Sequence, residues 1–235
     1  MRLPNASVTF TDRHGGVSEG PYESLNLGIL TDDLPEHVTE NRRRAADQAG
    51  VEPDRMAMGW QVHGTDLREW TEAPPDRAYA EPGGKDLERV DGHLTRAAGL
   101  GLLVLVADCY PVALSDGEQA AMLHCGWRPL AGGIVERALE RFGGTPSAAV
   151  GPGIGGCCYE VGEEVLEAFA DVDGAAHGRM LDLRVVIAAK LAAAGVTDVQ
   201  HVDECTSCAP ERYFSHRRDR GVTGRQAGII VRDGS

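Results

Sequence analysis

Three short segments gather the side chains best suited to hold a metal or do covalent chemistry: Gln61-Val62-His63-Gly64, Ala107-Asp108-Cys109-Tyr110-Pro111 and His124-Cys125-Gly126-Trp127-Arg128. In each, a His or Cys falls at the end of an expected strand beside Gly or Pro, and strand ends are where sheets present functional groups. Cys109 and His124 lie 15 residues apart, a strand–turn–strand length that can bring them together. Two imidazoles and a thiolate suit Zn²⁺, and three protein ligands leave a fourth position open, the arrangement of a catalytic zinc. Spacing alone fits two other readings: ordinary buried core residues, or a Cys109 nucleophile with His124 as its base.

Other candidates carry less information. Cys205-Thr206-Ser207-Cys208 is a single CxxC without the second half of a zinc ribbon, and reads as two buried thiols near a turn. Cys157 and Cys158 are adjacent, a spacing at which an unstrained bridge does not form. Gly151-Pro152-Gly153-Ile154-Gly155-Gly156 superficially suggests a dinucleotide turn, but Pro152 departs from that pattern. It reads as a glycine-rich loop near the site, where backbone N–H groups could meet an anion. The only lysines are Lys85 and Lys190, so cationic work falls to arginine. Arg13, Arg43, Arg128, Arg217, Arg218 and Arg225 sit in pointed places, whereas Arg42 and Arg44 are expected in solvated surface ion pairs.

The elements that must position these groups alternate along the chain. Strands are expected over Ser7–Thr11, Met56–His63, Leu100–Ala107, Gln119–Cys125, Ala148–Gly151, Asp198–Val202 and Ala227–Arg232. Leu100–Ala107 is continuously apolar, as in a strand covered on both faces. In Gln119–Cys125 the alternation puts Ala121, Leu123 and Cys125 on one face and His124 on the other. Helices are expected over Pro35–Ala49, capped by Asp32 or Asp33 and stopped at Gly50, and over Leu130–Phe142, Val161–Ala170 and Leu183–Ala194. Glu72–Asp86, rich in Pro and Gly, reads as a surface loop. The order gives an α/β or α+β domain, taken as one unit over residues 1–235.

Composition narrows the function. The chain has 235 residues and a formal net charge of −13, which argues against binding a polynucleotide. With 42% hydrophobic and 25% charged residues it is ordinary globular material. The longest apolar run, Gly99–Ala107, is far short of the roughly 20 residues of a membrane helix. Met1-Arg2-Leu3-Pro4-Asn5 carries no charged-then-apolar leader, so a cytoplasmic protein with reduced thiols is expected.

Taken together the motifs resemble the YfiH-like family, also labelled polyphenol oxidase or laccase domain, purine nucleoside phosphorylase and peptidoglycan editing factor. Arg13-His14-Gly15-Gly16-Val17-Ser18 and Tyr22-Glu23-Ser24-Leu25-Asn26-Leu27-Gly28 resemble its opening signature. The three segments above match its metal segments, and Gly151-Pro152-Gly153-Ile154 with Cys158-Tyr159-Glu160-Val161 matches a further block. Cys205-Thr206, Tyr213-Phe214-Ser215-His216-Arg217-Arg218-Asp219 and Gly224-Arg225 resemble the C-terminal block. Two departures stand out: Cys125 and Pro129 replace the family's usual Ala and Gly, and His216 stands where Tyr is more usual.

The resemblance implies mixed sheets layered with helices and a zinc held by His63, Cys109 and His124. It implies phosphorolysis of adenosine and related purine nucleosides to adenine and ribose 1-phosphate, with adenosine deamination and methylthioadenosine phosphorolysis as further activities. Within that reading Cys109, His124, Asp108 and Arg128 are the candidate catalytic residues, with Asp108 or Glu160 moving the proton. Ser24, Asn26, Arg43 and Arg128 are candidates for holding phosphate or ribose, together with Gln61 as a binding residue. Trp127 or Tyr159 would stack on the purine. The expected partners are a purine nucleoside and phosphate, with no nucleic acid and no membrane, and a monomer is the working expectation. The absence of any His-x-His pair speaks against a trinuclear copper cluster, and a lone His₂Cys copper site would want a weak axial Met. The rival enzyme is an amidase-like hydrolase of peptidoglycan precursors using Cys109 and His124; a zinc-binding protein without turnover is the non-enzymatic alternative.

Overall fold

Continuous apolar sequence from Leu100 onward produces a strand buried on both faces, and the rest of the fold is stacked around it. The structure, a computed structural model, describes residues 1–74, 77–81 and 87–234. The strands are β1 Arg2–Leu3, β2 Ala6–Phe10, β3 Met56–Ala57, β4 Leu67–Trp70, β5 Gly92–Thr95, β6 Gly101–Val106, β7 Tyr110–Ser115, β8 Ala120–Cys125, β9 Ser147–Val150, β10 Ala176–His177, β11 Met180–Leu181, β12 Val199–His201 and β13 Gln226–Arg232. The helices are α1 Pro35–Ala49, α2 Trp127–Ala131, α3 Ile134–Leu139, α4 Glu163–Glu167 and α5 Leu183–Ala193.

Two mixed sheets result. One has the order β1-β2-β13-β6-β3 and the other β12-β9-β7-β8-β5-β4. Pairs β3–β6, β4–β5 and β12–β9 are parallel and the other ladders antiparallel. The sheets face each other: Val8, Leu102, Val104 and Ile230 of the first share one apolar cluster with Ala113, Met122 and Ala149 of the second. Alternate residues point outward. Leu103 and Ile229 meet Ala45 and Ala46 of α1, while Leu114, Ala121 and Leu123 meet Ile134, Val135 and Ile187 of α3 and α5. The layers run helix, sheet, sheet, helix, a mixed α+β fold. Among the described residues no helix is long and apolar enough to cross a membrane.

Several expectations need correction. The strand expected through His63 stops at Ala57, because the next N–H groups go elsewhere: Trp60 donates to the Glu88 carbonyl, and Val62 to Gly64 donate to the Asp91 carboxylate. The helix expected over 130–142 is broken between α2 and α3 by Gly132-Gly133, with Gly133 at φ +86°. The helix expected over 161–170 contracts to α4. At α1 the boundary residue is Leu34, with no side-chain cap; Asp33, one position earlier, accepts the Leu34 N–H. Strands β1, β4, β5, β10 and β11 form where the periodicity predicts none, and β7 is implied only by the strand–turn–strand spacing of Cys109 and His124. Of the loop expected over 72–86, residues 75, 76 and 82–86 lie outside the described residues, while Tyr79 is fully buried. Arg42 is buried too: it donates to the carbonyls of Leu27, Ala78 and Tyr79, tying α1 to that loop. Arg44, by contrast, makes the expected ion pair, with Glu40, and also donates to the Gly15 carbonyl.

Candidate active site

Cys109 lies where the chain passes from β6 of one sheet to β7 of the other. That passage is sharp. Asp108 adopts φ +89°, an unfavourable region for a residue with a Cβ. Three bonds hold it there: Thr206 Oγ1 donates to Asp108 Oδ1 (2.6 Å), the Arg217 N–H to Oδ2 (2.7 Å), and the Ile154 N–H to the Asp108 carbonyl (2.8 Å). His124 is paired with Pro111 across the β7–β8 hairpin, so the spacing of Cys109 and His124 brings them together as expected. Cys125, next to His124, points into the opposite apolar cluster, as its strand parity requires.

His63 is brought in by the loop after β3 and has φ +58°. The buried Asp91, immediately before β5, assembles this loop. Its carboxylate accepts the N–H groups of Val62 (3.0 Å), His63 (3.0 Å) and Gly64 (2.7 Å) and lies 2.7 Å from His124 Nδ1. One side chain therefore orients two imidazoles, and with Nδ1 engaged His124 is left with Nε2 as its free donor.

The donor atoms of His63, Cys109 and His124 lie within 4.8 Å of one another, with Cys109 Sγ 3.8 Å from His63 Nε2 and the imidazoles edge to face at 4.7 Å. A tetrahedral ion with Zn–N about 2.0 Å and Zn–S about 2.3 Å needs N···S separations of roughly 3.5 Å, so small side-chain movements would close the set on one ion. Gly126 makes room: a Cβ there would stand 2.9 Å from Cys109 Sγ and 3.2 Å from His63 Cδ2. The residues fit a metal ion with an open coordination position.

Electrostatics support the same placement. Burial opposes the Cys109 thiolate, but His124 beside it and His63 bring the thiol down to about 6. Burial likewise opposes a charged His124, yet Cys109 and Asp91 hold its imidazole up to about 9. Asp91 stays below the usual carboxylate range despite its burial, because His124 and the Gly64 and Val62 N–H groups favour its anion.

These groups open onto a cavity of about 420 Å³, a size suited to a small organic ligand. Trp60, Trp127 and Tyr159 supply aromatic walls, and Arg128, Arg217 and Arg225 supply positive charge. Arg128 lies over the Trp127 ring, Arg217 donates to the Glu160 carbonyl, and Arg225 donates to the carbonyls of Thr223 and Gly224. Among the described residues none of the three has a carboxylate ion-pair partner, so their charge is available to an anionic ligand.

The other expected site residues divide. Trp127, Tyr159, Arg128, Asp108 and Gln61 line the cavity. The Gln61 amide is spent on Leu105, donating to its carbonyl and accepting its N–H, both at 2.8 Å, so it braces the wall. Asn26 is fully buried and saturated: it donates to Thr31 Oγ1 and Asp33 Oδ2 and accepts the Gly28 and Arg225 N–H groups. It holds the Gly28 loop against Arg225 and has nothing left for a sugar. Ser24 bridges the Gly16 N–H and the Arg13 carbonyl, away from the cavity. Arg43 is on the solvent face of α1, paired with Glu40 and Asp47, and does not reach the site. Glu160 is exposed and 3.3 Å from Arg179. The glycine-rich loop offers no anion nest at Ile154 and Gly155, because their N–H groups go to the Asp108 carbonyl and Cys205 Sγ. Asp91 and Trp60 escaped the sequence reading: Val90-Asp91-Gly92 has the look of a turn, and Trp60 alternated with core residues.

Comparison with known proteins places this architecture. Residues 7–233 match the family described as "Multi-copper polyphenol oxidoreductase laccase". The fold is shared by a group of solved proteins. YlmD from Geobacillus stearothermophilus superposes with TM-score 0.89 at 33% identity, covering 98% of this chain and 93% of that one. The Bacillus licheniformis hypothetical protein YfiH also gives 0.89, at 30% identity, covering 96% and 92%. In sequence the chain is 41% identical to purine nucleoside phosphorylase SCO2081 of Streptomyces coelicolor, over 97% of this chain and 96% of that protein. It is 38% identical to purine nucleoside phosphorylase YfiH of Escherichia coli, over 93% and 90%. The chain belongs to the YfiH family.

Proposed function

We propose that this protein is a zinc-dependent purine nucleoside phosphorylase acting on adenosine and related nucleosides, with adenosine deamination in the same site. The observation that carries the reading is the juxtaposition, in one cavity, of an open three-donor centre with aromatic walls and three arginines that have no carboxylate partner among the described residues. Relatives named purine nucleoside phosphorylase at 38–41% identity support it.

A zinc held by His63, Cys109 and His124 would supply a Lewis acid at the cavity floor. Arg128, Arg217 and Arg225 bind phosphate and direct one of its oxygens at ribose C1′. As that oxygen bonds to C1′ the bond from C1′ to the purine breaks, and its electron pair leaves with the base. The purine, stacked on Trp127 or Tyr159, takes up a proton, for which Asp108, a carboxylate lining the cavity, is our candidate, in exchange for one of the hydrogen bonds it accepts from Thr206 and the Arg217 N–H. For deamination, water adds at C6 and ammonia leaves from the same position. The absence of His-x-His pairs favours zinc over multicopper chemistry. The enzyme is read as a cytoplasmic monomer with one domain over residues 1–235.

Incubating protein with adenosine and phosphate, read by mass, should yield adenine and ribose 1-phosphate. Turnover indifferent to phosphate or arsenate overturns the phosphorylase reading. The low thiol pKa of Cys109 also suits a nucleophile, which is the peptidoglycan-hydrolase reading. His63 has no task in a Cys–His pair, which favours metal. Inactivation by a thiol alkylator but not by a chelator would reverse that preference.

A further inference from the structure

The single CxxC of the sequence does have a second half, contributed by the adjacent pair. Cys157, Cys158, Cys205 and Cys208 bring their sulfurs within 4.8 Å of one another, with Cys208 Sγ 3.5 Å from Cys157 Sγ and 3.3 Å from Cys158 Sγ. Four thiolates about 2.3 Å from one tetrahedral ion lie roughly 3.8 Å apart, so the cluster is already near the required size. We propose that these four cysteines form a second, closed metal centre, a tetrathiolate zinc site with a structural role.

The local backbone is built for it. The Cys158 and Tyr159 N–H groups both close on the Gly155 carbonyl, making a tight turn. In such a turn successive side chains diverge by about 100°, and two neighbours can reach one ion from different sides. On the other loop the Cys208 N–H closes on the Cys205 carbonyl at 3.1 Å, which folds the CxxC back on itself. The Gly155 N–H donates to Cys205 Sγ at 3.2 Å, the kind of outer-shell bond that orients a thiolate ligand. Neither pair alone explains the geometry. A disulfide joins two sulfurs, whereas here both Cys157 and Cys158 converge on Cys208 with Cys205 beside them.

The centre would serve as a staple. Residues Gly153 and Cys205 already form a parallel bridge, and the Thr206 N–H donates to the Gly153 carbonyl. Thr206 in turn donates to Asp108, beside Cys109. Closing a metal over the two loops would fix Tyr159 on one and Arg217 on the other, both cavity residues. The proposal is independent of what the cavity turns over.

The test uses the full-length protein purified with zinc under reducing conditions. Cys157 and Cys208 are exposed and should be the first thiols taken by iodoacetamide if they are free. All four should instead resist alkylation and become reactive only after chelation or mercurial displacement, with peptide mass spectrometry assigning the sites. The His63→Ala/His124→Ala variant, stripped of the open centre, should retain one zinc per chain, and cobalt exchanged into it should show intense sulfur-to-metal charge transfer. Cys157→Ser/Cys208→Ser should lose one zinc relative to the parent. Free alkylation of the four cysteines in the zinc-loaded protein, or their recovery as disulfides, overturns the proposal even if the paired variant does not fold. Because neither readout involves nucleoside turnover, an inactive enzyme with protected cysteines would sink the phosphorylase reading and leave this one standing.

Discussion

His63, Cys109 and His124 meet at the floor of a cavity, with mixed nitrogen and sulfur donors, a buried carboxylate behind them and one side left open. Cys157, Cys158, Cys205 and Cys208 meet at the protein surface, with sulfur alone and enough donors to close a tetrahedron. Open centres with an outer shell do chemistry, whereas closed ones hold chain segments together. The two lie on either side of Asp108, which connects to the second through Thr206 and precedes Cys109 of the first.

The sharpest way to break the contrast is to remove ligands from each side. His63→Ala, Cys109→Ala or His124→Ala should abolish measurable phosphorolysis, a loss beyond the roughly 100-fold typical of outer-shell changes. The paired Cys157→Ser/Cys208→Ser variant should keep the open centre's metal while its melting temperature falls. Equal loss of turnover and of zinc in both sets would erase the distinction. Next in size is Asp91→Ala. It strips support from both imidazoles and should weaken metal binding at the open centre by about 10- to 100-fold, measured by competition with a chromogenic chelator. Arg128→Ala should raise KM for phosphate about tenfold with a smaller change in KM for nucleoside, as loss of one charged hydrogen bond predicts.

Proton release sharpens the comparison further. Near pH 7.5 Cys109, at about 6, is already a thiolate, while His124, at about 9, must give up its proton to bind metal. The open centre should therefore release about one proton per ion, read by calorimetry in buffers of different ionisation enthalpy. At the closed centre burial raises the Cys157 thiol, and hydrogen bonds with Cys158 and Cys157 raise that of Cys208, so at least about two protons should leave. The linkage has a sign in the metal-free protein. The raised His124 contributes stability that is full below about 6.5 and is lost as pH rises through about 9. The lowered Cys109 contributes stability present above its ordinary value of 9.0 and lost as pH falls through about 6. The smallest effect is expected at Arg43. Arg43→Ala, on an exposed helix face, should leave turnover within about twofold, since exposed ion pairs contribute little.

The meeting of Cys109 and His124 was legible in their strand–turn–strand spacing, which the β7–β8 hairpin bears out, whereas His63 joins them from a loop and not from the strand end that the alternation predicts. Strand parity was enough to turn Cys125 away from His124. What the sequence hid depends on contacts between distant segments. Asp91 owes its role to the loop it captures, at 27 to 29 residues' remove, and no local pattern announces that. Arg42 and Arg43 are neighbours with opposite fates, one buried against three carbonyls and the other in solvent, because a helix rotates successive residues by about 100°. The cysteine cluster stayed unread for the same reason: its halves lie 50 residues apart and only the fold makes them one feature.

The passage of the chain from β6 to β7 carries one more consequence, for folding. His63 follows a strand of the first sheet, His124 sits in the second, and Cys109 lies on the link between them. A chain that has built either sheet alone possesses no three-donor centre. Capture of a metal ion there can occur only once the sheets have docked, so a metal-sensitive signal followed after dilution from denaturant would time the last step of assembly, whereas amide protection would time the earlier pairing of strands within each sheet.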